Sequence, residues 1–142
     1  PRLRMTSRGV ILRAVGPKNL GHAKQWINLA EDALRRYFKG NSRAFRKIPL
    51  DIQGTVFQKK VWSALKRIPS GKTFSYAAIA ERIGHPKAFR AVGTACGANP
   101  VALVIPCHRA VGSGKSLGGF AWGIQKKKKL LRLENPQFQN LQ

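Results

Sequence analysis

Acidic side chains are what this sequence has least of. Its 142 residues hold 5 Asp and Glu against 27 Lys and Arg, a net charge of +22 and a pI near 11.6. The imbalance is not confined to a tail, since residues 1–50 carry 12 basic and 2 acidic side chains and residues 51–142 carry 15 and 3. A basic excess spread over a whole chain points to a polyanionic partner, nucleic acid before an anionic membrane surface. Cysteine is almost missing as well. Cys96 and Cys107 make no disulfide framework, which favours a reducing, intracellular setting, and with three histidines they form no recognisable zinc spacing. Neither a metal nor a cofactor is expected. No apolar stretch is long enough to cross a bilayer, and no signal-peptide core is present. P-loop spacing and internal repeats are also lacking. Pro1 is not an initiator residue, which implies a chain processed or cut from something longer. The length suits one domain, or one with a small appendage, with a real core.

What is present reads in two regions. Near the start, Arg2, Arg4, Arg8 and Arg13 form a basic arm, Val10-Ile11-Leu12 a short strand and Gly16-Pro17 a turn. A helix is predicted from His22 to Lys39, with Trp26, Ala30, Ala33, Leu34, Tyr37 and Phe38 at helical spacing and Gly40-Asn41 as its stop. Trp26, Tyr37 and Phe38 are assigned to the core. Phe45 to Ile52 is an extended connector, kept out of helix by Pro49. The second region opens with a capping box, Thr55 and Gln58. Phe57, Val61, Leu65 and Ile68 then share one apolar face with Trp62 beside it, and Lys59, Lys60, Lys66 and Arg67 fall on the other. Ser75 caps a helix from Tyr76 to Ile83 that ends at Gly84.

A further helix is predicted to start with Pro86 in its first position and to run to about Cys96 or Gly97. The pair reads as helix-turn-helix. Lys87, Arg90 and Thr94 make one exposed stripe, with Phe89, Val92 and Cys96 opposite. Ala88, Ala91, Gly93, Ala95 and Gly97 are small, and a glycine inside a helix costs about 1 kcal/mol against alanine. Their smallness serves either close packing inside the protein or close approach to another surface.

The apolar run Val101 to Ile105 is long enough for one buried strand, which Pro106 ends, leaving Cys107 at a strand end. A thiol is a nucleophile only as its thiolate, and His108 and Arg109 follow the sulfur directly, the imidazole acting on it through a water. Taken alone, Cys107 could as well be a small buried hydrophobe. A glycine-rich loop from Ala110 to Gly123 reads as a flexible lid. A last helix runs from about Gln125 to Glu134, anchored by Leu130, Leu131 and Leu133, with Lys126 to Lys129 repelling one another unless an anion lies near. Gln137 to Gln142 reads as a frayed tail.

The string Ile105-Pro106-Cys107-His108-Arg109 resembles the active-site signature of the O6-alkylguanine-DNA alkyltransferases. The likeness runs from about Ala33 to Glu134 and is dense from Asp51, through PLDIQGTVFQKKVW, GKTFSYAAIA, KAFRAVGTACGANP, IPCHRAV and KKLLRLE. The bacterial types and the C-terminal domain of adaptive-response regulators are the most similar. The resemblance implies an α/β fold: a mainly helical, winged-helix-like alkyltransferase domain over 51–136, a short and incomplete N-terminal α/β region over 1–50, and a tail over 137–142. It implies transfer of an alkyl group from O6-alkylguanine, and O4-alkylthymine as a further substrate, to Cys107, once per molecule. Its partner would be double-stranded DNA, bound by a monomer in the bacterial cytoplasm or a eukaryotic nucleus. By the same resemblance His108 acts as base through a water, Glu134 orients it, Asn99 shapes the Asn-Pro hinge, and Tyr76 swivels the nucleotide and donates to guanine. Lys127 lies near the leaving oxygen, and Arg90 fills the gap in the duplex. Lys87, Ala91, Gly93, Thr94 and Arg109 complete the DNA-binding set. Bland readings stand beside these: Tyr76 as buried aromatic, Arg90 as phosphate contact, Glu134 as partner of a lysine.

Two positions depart from the family pattern. Phe120 stands for its usual tyrosine and Ala121 for a serine that donates to O6 in some members, which puts substrate range in question. Cys96 replaces a more inert residue and is a candidate minor thiol. The main alternative is a non-enzymatic winged-helix protein that recognises alkylated bases, against which Cys107 argues. An RNA-binding protein would leave the PCHR string unexplained, and a cysteine protease lacks a distant histidine signature.

Overall fold

The computed structural model describes residues 23–114 and 116–140. The arginine arm, the strand at Val10–Leu12 and His22 lie outside the described residues. The chain divides into two compact units between Gln53 and Gly54.

In the first unit, α1 spans Ala23–Phe38. Ala30, Ala33 and Tyr37 are buried, and the Tyr37 ring packs against Phe45 with centroids 5.2 Å apart. Gly40, at φ 92°, closes the helix: its N–H bonds the Tyr37 carbonyl and the Asn41 N–H the Arg36 carbonyl, a Schellman pair that glycine makes without strain. Phe38, expected inside, is 57% exposed, because it sits one position past the buried Ala30–Ala33–Tyr37 stripe. Residues 42–47 form turns, so the connector is extended only from Ile48 onward.

The second unit begins with α2, Val56–Lys66. Its capping box forms as the sequence predicts, with the Gln58 N–H on Thr55 Oγ1 at 3.1 Å and the Thr55 N–H on Gln58 Oε1 at 2.9 Å. Val61, Trp62 and Leu65 face inward with Ile68 just beyond the helix, and the Trp62 indole N–H donates to the Ala95 carbonyl at 2.9 Å. That bond ties α2 to α4 (Phe89–Gly97), and α3 (Tyr76–Arg82) completes the helical cluster. Removing so large a buried side chain costs on the order of 3–5 kcal/mol. Ser75 caps α3 by accepting from the Ala78 N–H. The two-residue strands β1 (Phe74–Ser75) and β2 (Ala110–Val111) pair in parallel, joining the entrance of α3 to the exit of the Cys-His-Arg segment.

Three local expectations are corrected. α4 starts at Phe89 rather than Pro86, because His85 to Ala88 first closes a turn through the Ala88 N–H and the His85 carbonyl. Phe89 is 46% exposed instead of packed beside Val92. Val101–Ile105 is buried but is not a strand. It curls, with Leu103 at φ 74° and the Ile105 N–H on the Val101 carbonyl, and Asn99 replaces the missing ladder by accepting from Val101 and donating to Ile105. A five-residue apolar run signals burial, and a side-chain amide that satisfies its backbone makes the strand unnecessary.

Helix α5, Ile124–Glu134, buries Leu130 and Leu131 but leaves Leu133 39% exposed. Pro136–Asn140 continues as a short 3₁₀ turn, so the ordered chain runs past the point where fraying was expected.

Candidate active site

Cys107, His108 and Arg109 make a single 3₁₀ turn, and all three are buried. The turn exists because Pro106 ends the preceding segment and the Arg109 N–H reaches back to its carbonyl. The three side chains serve different neighbours. Cys107 lines a cavity of about 300 Å³, whose walls include Tyr76, Cys96 and the glycine loop at Gly119, Phe120 and Ala121. On the α4 side the wall is Gly93 and Gly97. The volume is at the small end of ligand pockets.

His108 is wholly buried, and its Nε2 lies 2.9 Å from Glu134 Oε1. A carboxylate accepts only, so Nε2 carries the hydrogen and Nδ1 keeps the free lone pair. Nδ1 is buried with no protein hydrogen-bond partner. Burial lowers the His108 pKa despite the pull of Glu134, with Arg109 and Lys127 adding to the drop. The ring is therefore neutral at pH 7 and able to accept a proton at Nδ1.

Arg109 was expected among the DNA contacts, and the fold places it elsewhere. Its Nε and Nη2 grip both Glu134 oxygens at 2.9 and 2.8 Å, and Nη1 donates to the Ile68 carbonyl at 2.6 Å. A guanidinium spent this way anchors the acid that orients the imidazole. Burial works to raise the Glu134 carboxyl, but the hydrogen bonds and charges of His108 and Arg109 outweigh it and hold the group well below the usual carboxylate range.

Lys127 also differs from expectation. It is fully buried, and its ammonium donates to the carbonyls of Ala110, Leu117 and Gly119 at 2.6, 2.5 and 3.2 Å. All three protons are used on backbone, so Lys127 holds the loop wall of the cavity in place and does not present a donor to a leaving oxygen. The loop is thus a pinned wall rather than a free lid. Of the four lysines in Lys126–Lys129, Lys127 is turned inward onto carbonyl dipoles, whereas Lys126 and Lys129 are exposed. Burial pushes the Lys127 pKa down to about 8. Lys127→Met leaves the buried carbonyls of Ala110 and Leu117 without this donor, a loss of about 1–3 kcal/mol. Hydrogen exchange at Leu117 and Gly119 should speed up well beyond that of α2, and unchanged protection would refute the pinning.

Cys107 itself sits in an environment that raises its pKa. Burial dominates, and a hydrogen bond from Asn99 and the charge of Lys127 oppose it without cancelling it. Arg109 does not favour the thiolate as its place beside the sulfur suggests, because its guanidinium is committed to Glu134 and Ile68, whereas His108 gives Glu134 only Nε2 and keeps Nδ1 free. Tyr76 donates to the Gly119 carbonyl over a long 3.4 Å, and burial lifts its pKa to about 12, so it stays a donor. Gly118, at φ 65°, admits that ring: a Cβ there would lie 2.7 Å from the Tyr76 hydroxyl.

On the far side of α4, Lys87, Arg90, Ala91 and Thr94 are exposed. A Cβ added to Gly93 or Gly97 would meet nothing within 4 Å. Packing inside the protein does not demand those glycines. Residues 56–136 match the family model described as 6-O-methylguanine DNA methyltransferase, DNA binding domain. The chain belongs to the 6-O-methylguanine DNA methyltransferase family.

Among that family's curated members, the chain is 48% identical over 106 residues to a probable methylated-DNA–protein-cysteine methyltransferase of Acanthamoeba polyphaga mimivirus, covering 75% of this chain and 70% of that one. It is 54% identical over 87 residues to the bifunctional transcriptional activator/DNA repair enzyme Ada of Escherichia coli, covering 61% of this chain but only 25% of Ada. Its fold is similar to that of Mycobacterium tuberculosis OGT, solved in complex with DNA, with a TM-score of 0.74 and 46% identity over 78% of this chain and 68% of that one. The helices, small sheet and Cys-His-Arg turn are thus those of a methyltransferase domain. Sequence reading of the motif missed the Arg109–Glu134 grip and the Gly119 carbonyl as cavity wall. The pairing of the only acid in the last helix with a central arginine offered a signal for the first.

Proposed function

We propose that this chain removes the alkyl group from O6-alkylguanine in duplex DNA and keeps it on Cys107. The observation that carries the reading is a thiol at the wall of a base-sized cavity, with a neutral, carboxylate-oriented imidazole behind it and a helix bearing the exposed Arg90 in front. The target carbon is stacked inside a duplex, so the nucleotide must leave the helix, at a cost of a few kcal/mol. Glycine at 93 and 97 lets the α4 backbone come close to the minor groove and leaves the cavity mouth open, and Arg90 occupies the vacated stack. Lys87, Ala91 and Thr94 lie against the backbone and groove.

His108 Nδ1 takes the Cys107 proton through one water, and Glu134 stabilises the imidazolium. The thiolate attacks the sp³ alkyl carbon; the S–C bond forms as the C–O6 bond breaks. The electron pair stays on guanine, which Tyr76 steadies by donating a hydrogen bond as it departs. Asn99 holds the Val101–Ile105 curl that delivers the sulfur. The thioether has no good leaving group, so each molecule acts once. O4-alkylthymine fits the same scheme. The protein would work as a monomer, in the bacterial cytoplasm or a eukaryotic nucleus.

Intact-mass measurement after incubation with an O6-methylguanine duplex tests the reading. One methyl group per chain, mapped to Cys107, is the expected result; an unlabelled but folded chain that still binds the duplex would instead indicate a non-catalytic reader of alkylated bases. Arg90→Ala should slow transfer from duplex on the order of 10-fold, about 1.4 kcal/mol of barrier. Transfer from a free O6-benzylguanine analogue should be nearly unaffected, and equal losses on both substrates would remove Arg90 from the flipping step.

A further inference from the structure

A second concavity, larger than the one beside Cys107, lies elsewhere on this unit. It is a groove of about 730 Å³ between α2 and the end of α3, lined by neither cysteine nor histidine. Its sides carry four cations, Lys59, Lys60, Arg67 and Arg82, with Val56 and Ile83 as apolar edges. Among the described residues no carboxylate is within salt-bridge distance of any of the four. Arg82 is preset by the Phe74 ring, its guanidinium 3.8 Å from the centroid. Val56, 76% exposed, has no protein cover.

The groove faces away from the proposed reading helix. On α2, Val61, Trp62 and Leu65 point inward, and Trp62 bonds Ala95 of α4. Lys59, Lys60, Ser63 and Arg67 fall on the opposite side at 100° per residue. On α4, Val92 and Ala95 are buried, and Arg90, Ala91 and Thr94 lie away from them. The two exposed faces are back to back across two helices, each about 10 Å thick. One straight duplex cannot cover both.

We infer that this groove binds the sugar–phosphate backbone of a second DNA segment, so that one protein molecule can bridge two duplexes. From Lys59 to Arg67 the helix rises about 12 Å at 1.5 Å per residue. A DNA strand rises about 3.4 Å along the duplex axis per phosphate, so up to three or four phosphates fall within that axial length, where Lys59, Lys60 and Arg67, with Arg82 from α3, can meet them. An acidic helical peptide would need apolar anchors at i, i+4 and i+7, whereas the groove offers Val56 and Ile83 only at its edges. The inference uses unmodified DNA and does not depend on alkyl transfer.

The test is energy transfer between donor-labelled and acceptor-labelled unmodified duplexes of about 20 base pairs, with protein below DNA. The wild-type chain is expected to bring the two labels together. Lys59→Glu/Lys60→Glu/Arg67→Glu should cut that signal at least 10-fold, while transfer to Cys107 from excess O6-methylguanine duplex stays within about twofold. These positions are exposed, and surface substitutions of this kind change stability little, so the variant should fold. Lys59→Gln/Lys60→Gln/Arg67→Gln gives a milder check, with an intermediate loss expected. An equal charge change in the other unit, Arg43→Glu/Arg46→Glu/Lys47→Glu, should leave bridging largely intact. The inference fails if the wild type brings no labels together, if the groove variant still bridges, or if both triple reversals lose bridging equally. Polyglutamate displacing the second duplex better than unlabelled DNA at equal charge would likewise overturn it, in favour of an acidic protein.

Discussion

Cys107→Ala is expected to abolish alkyl transfer, leaving the intact mass of the protein unchanged after exposure to O6-methylguanine duplex. DNA affinity should stay within about twofold. The sulfur lines the cavity, whereas the exposed Arg90 and Lys87 are carried by α4 and the turn before it. Stability should fall by only about 1 kcal/mol, the usual cost of trimming a small buried side chain. Cys96 lines the same cavity, yet it should not substitute. In the wild type its pKa stands at about 12, chiefly because of burial, which the variant keeps, and among the described residues lining the cavity there is no imidazole. An alkyl adduct on Cys96 in the variant would refute the assignment of a single acceptor. The wild-type rate should also climb between pH 6 and 9. A thiol whose pKa is raised above its ordinary value is less than about 3% ionised at pH 7. Ionisation must therefore be coupled to His108, whose pKa burial lowers, so that the ring is neutral and receptive at pH 7 and above. A flat profile would show that chemistry does not limit the reaction.

Glu134→Gln should have the second largest effect, on rate and stability together. The carboxylate accepts from His108, from two Arg109 nitrogens and from the Gly71 N–H at 3.3 Å. Glutamine keeps the shape but removes the charge, so the Arg109 guanidinium is buried without its counter-ion. Breaking a buried pair in this way costs about 3 kcal/mol, or roughly 10 °C in Tm for a chain of this size. The amide can also donate to His108 Nε2, which would move the ring hydrogen to Nδ1 and take away the base. Loss of a carboxylate that holds a tautomer lowers rates by roughly 10²- to 10⁴-fold. A drop in Tm with an unchanged rate would leave Glu134 a purely structural acid.

The pH dependence of stability has a definite sign. Glu134 is depressed in the folded protein, so its contribution is complete above the ordinary glutamate pKa of about 4.3 and is lost as pH falls below it toward the folded value. His108 is also lowered, so folding excludes a proton that the unfolded chain takes up below about 6.5, and stability declines as pH falls through that value. Thermal unfolding should therefore show two acid steps in the wild type. The gap between wild type and Glu134→Gln should narrow below about pH 4, and a constant gap down to pH 3 would contradict the ion pair.

Much of the framework was decided by local chemistry and was legible in the chain. The Thr55–Gln58 box, the Ser75 cap, the glycine stops at 40 and 84 and the apolar face of α2 each depend on residues within one or two turns, so spacing alone reveals them. The PCHR string marked the proposed nucleophile, and the charge of +22 pointed to a polyanionic partner. Tertiary structure alone decided which charges are spent inside. The resemblance set Arg109 against DNA and Lys127 near a leaving oxygen, yet Lys127 is fully buried, Arg109 nearly so, and the Glu134 carboxylate is enclosed with Arg109. The reason is that a buried polar group takes its partner from wherever the fold brings one, here across 25 residues from Arg109 to Glu134 and 17 from Lys127 to Ala110. Sequence spacing carries no record of such long-range satisfaction, and the same blindness made a buried curl at Val101–Ile105 read as a strand.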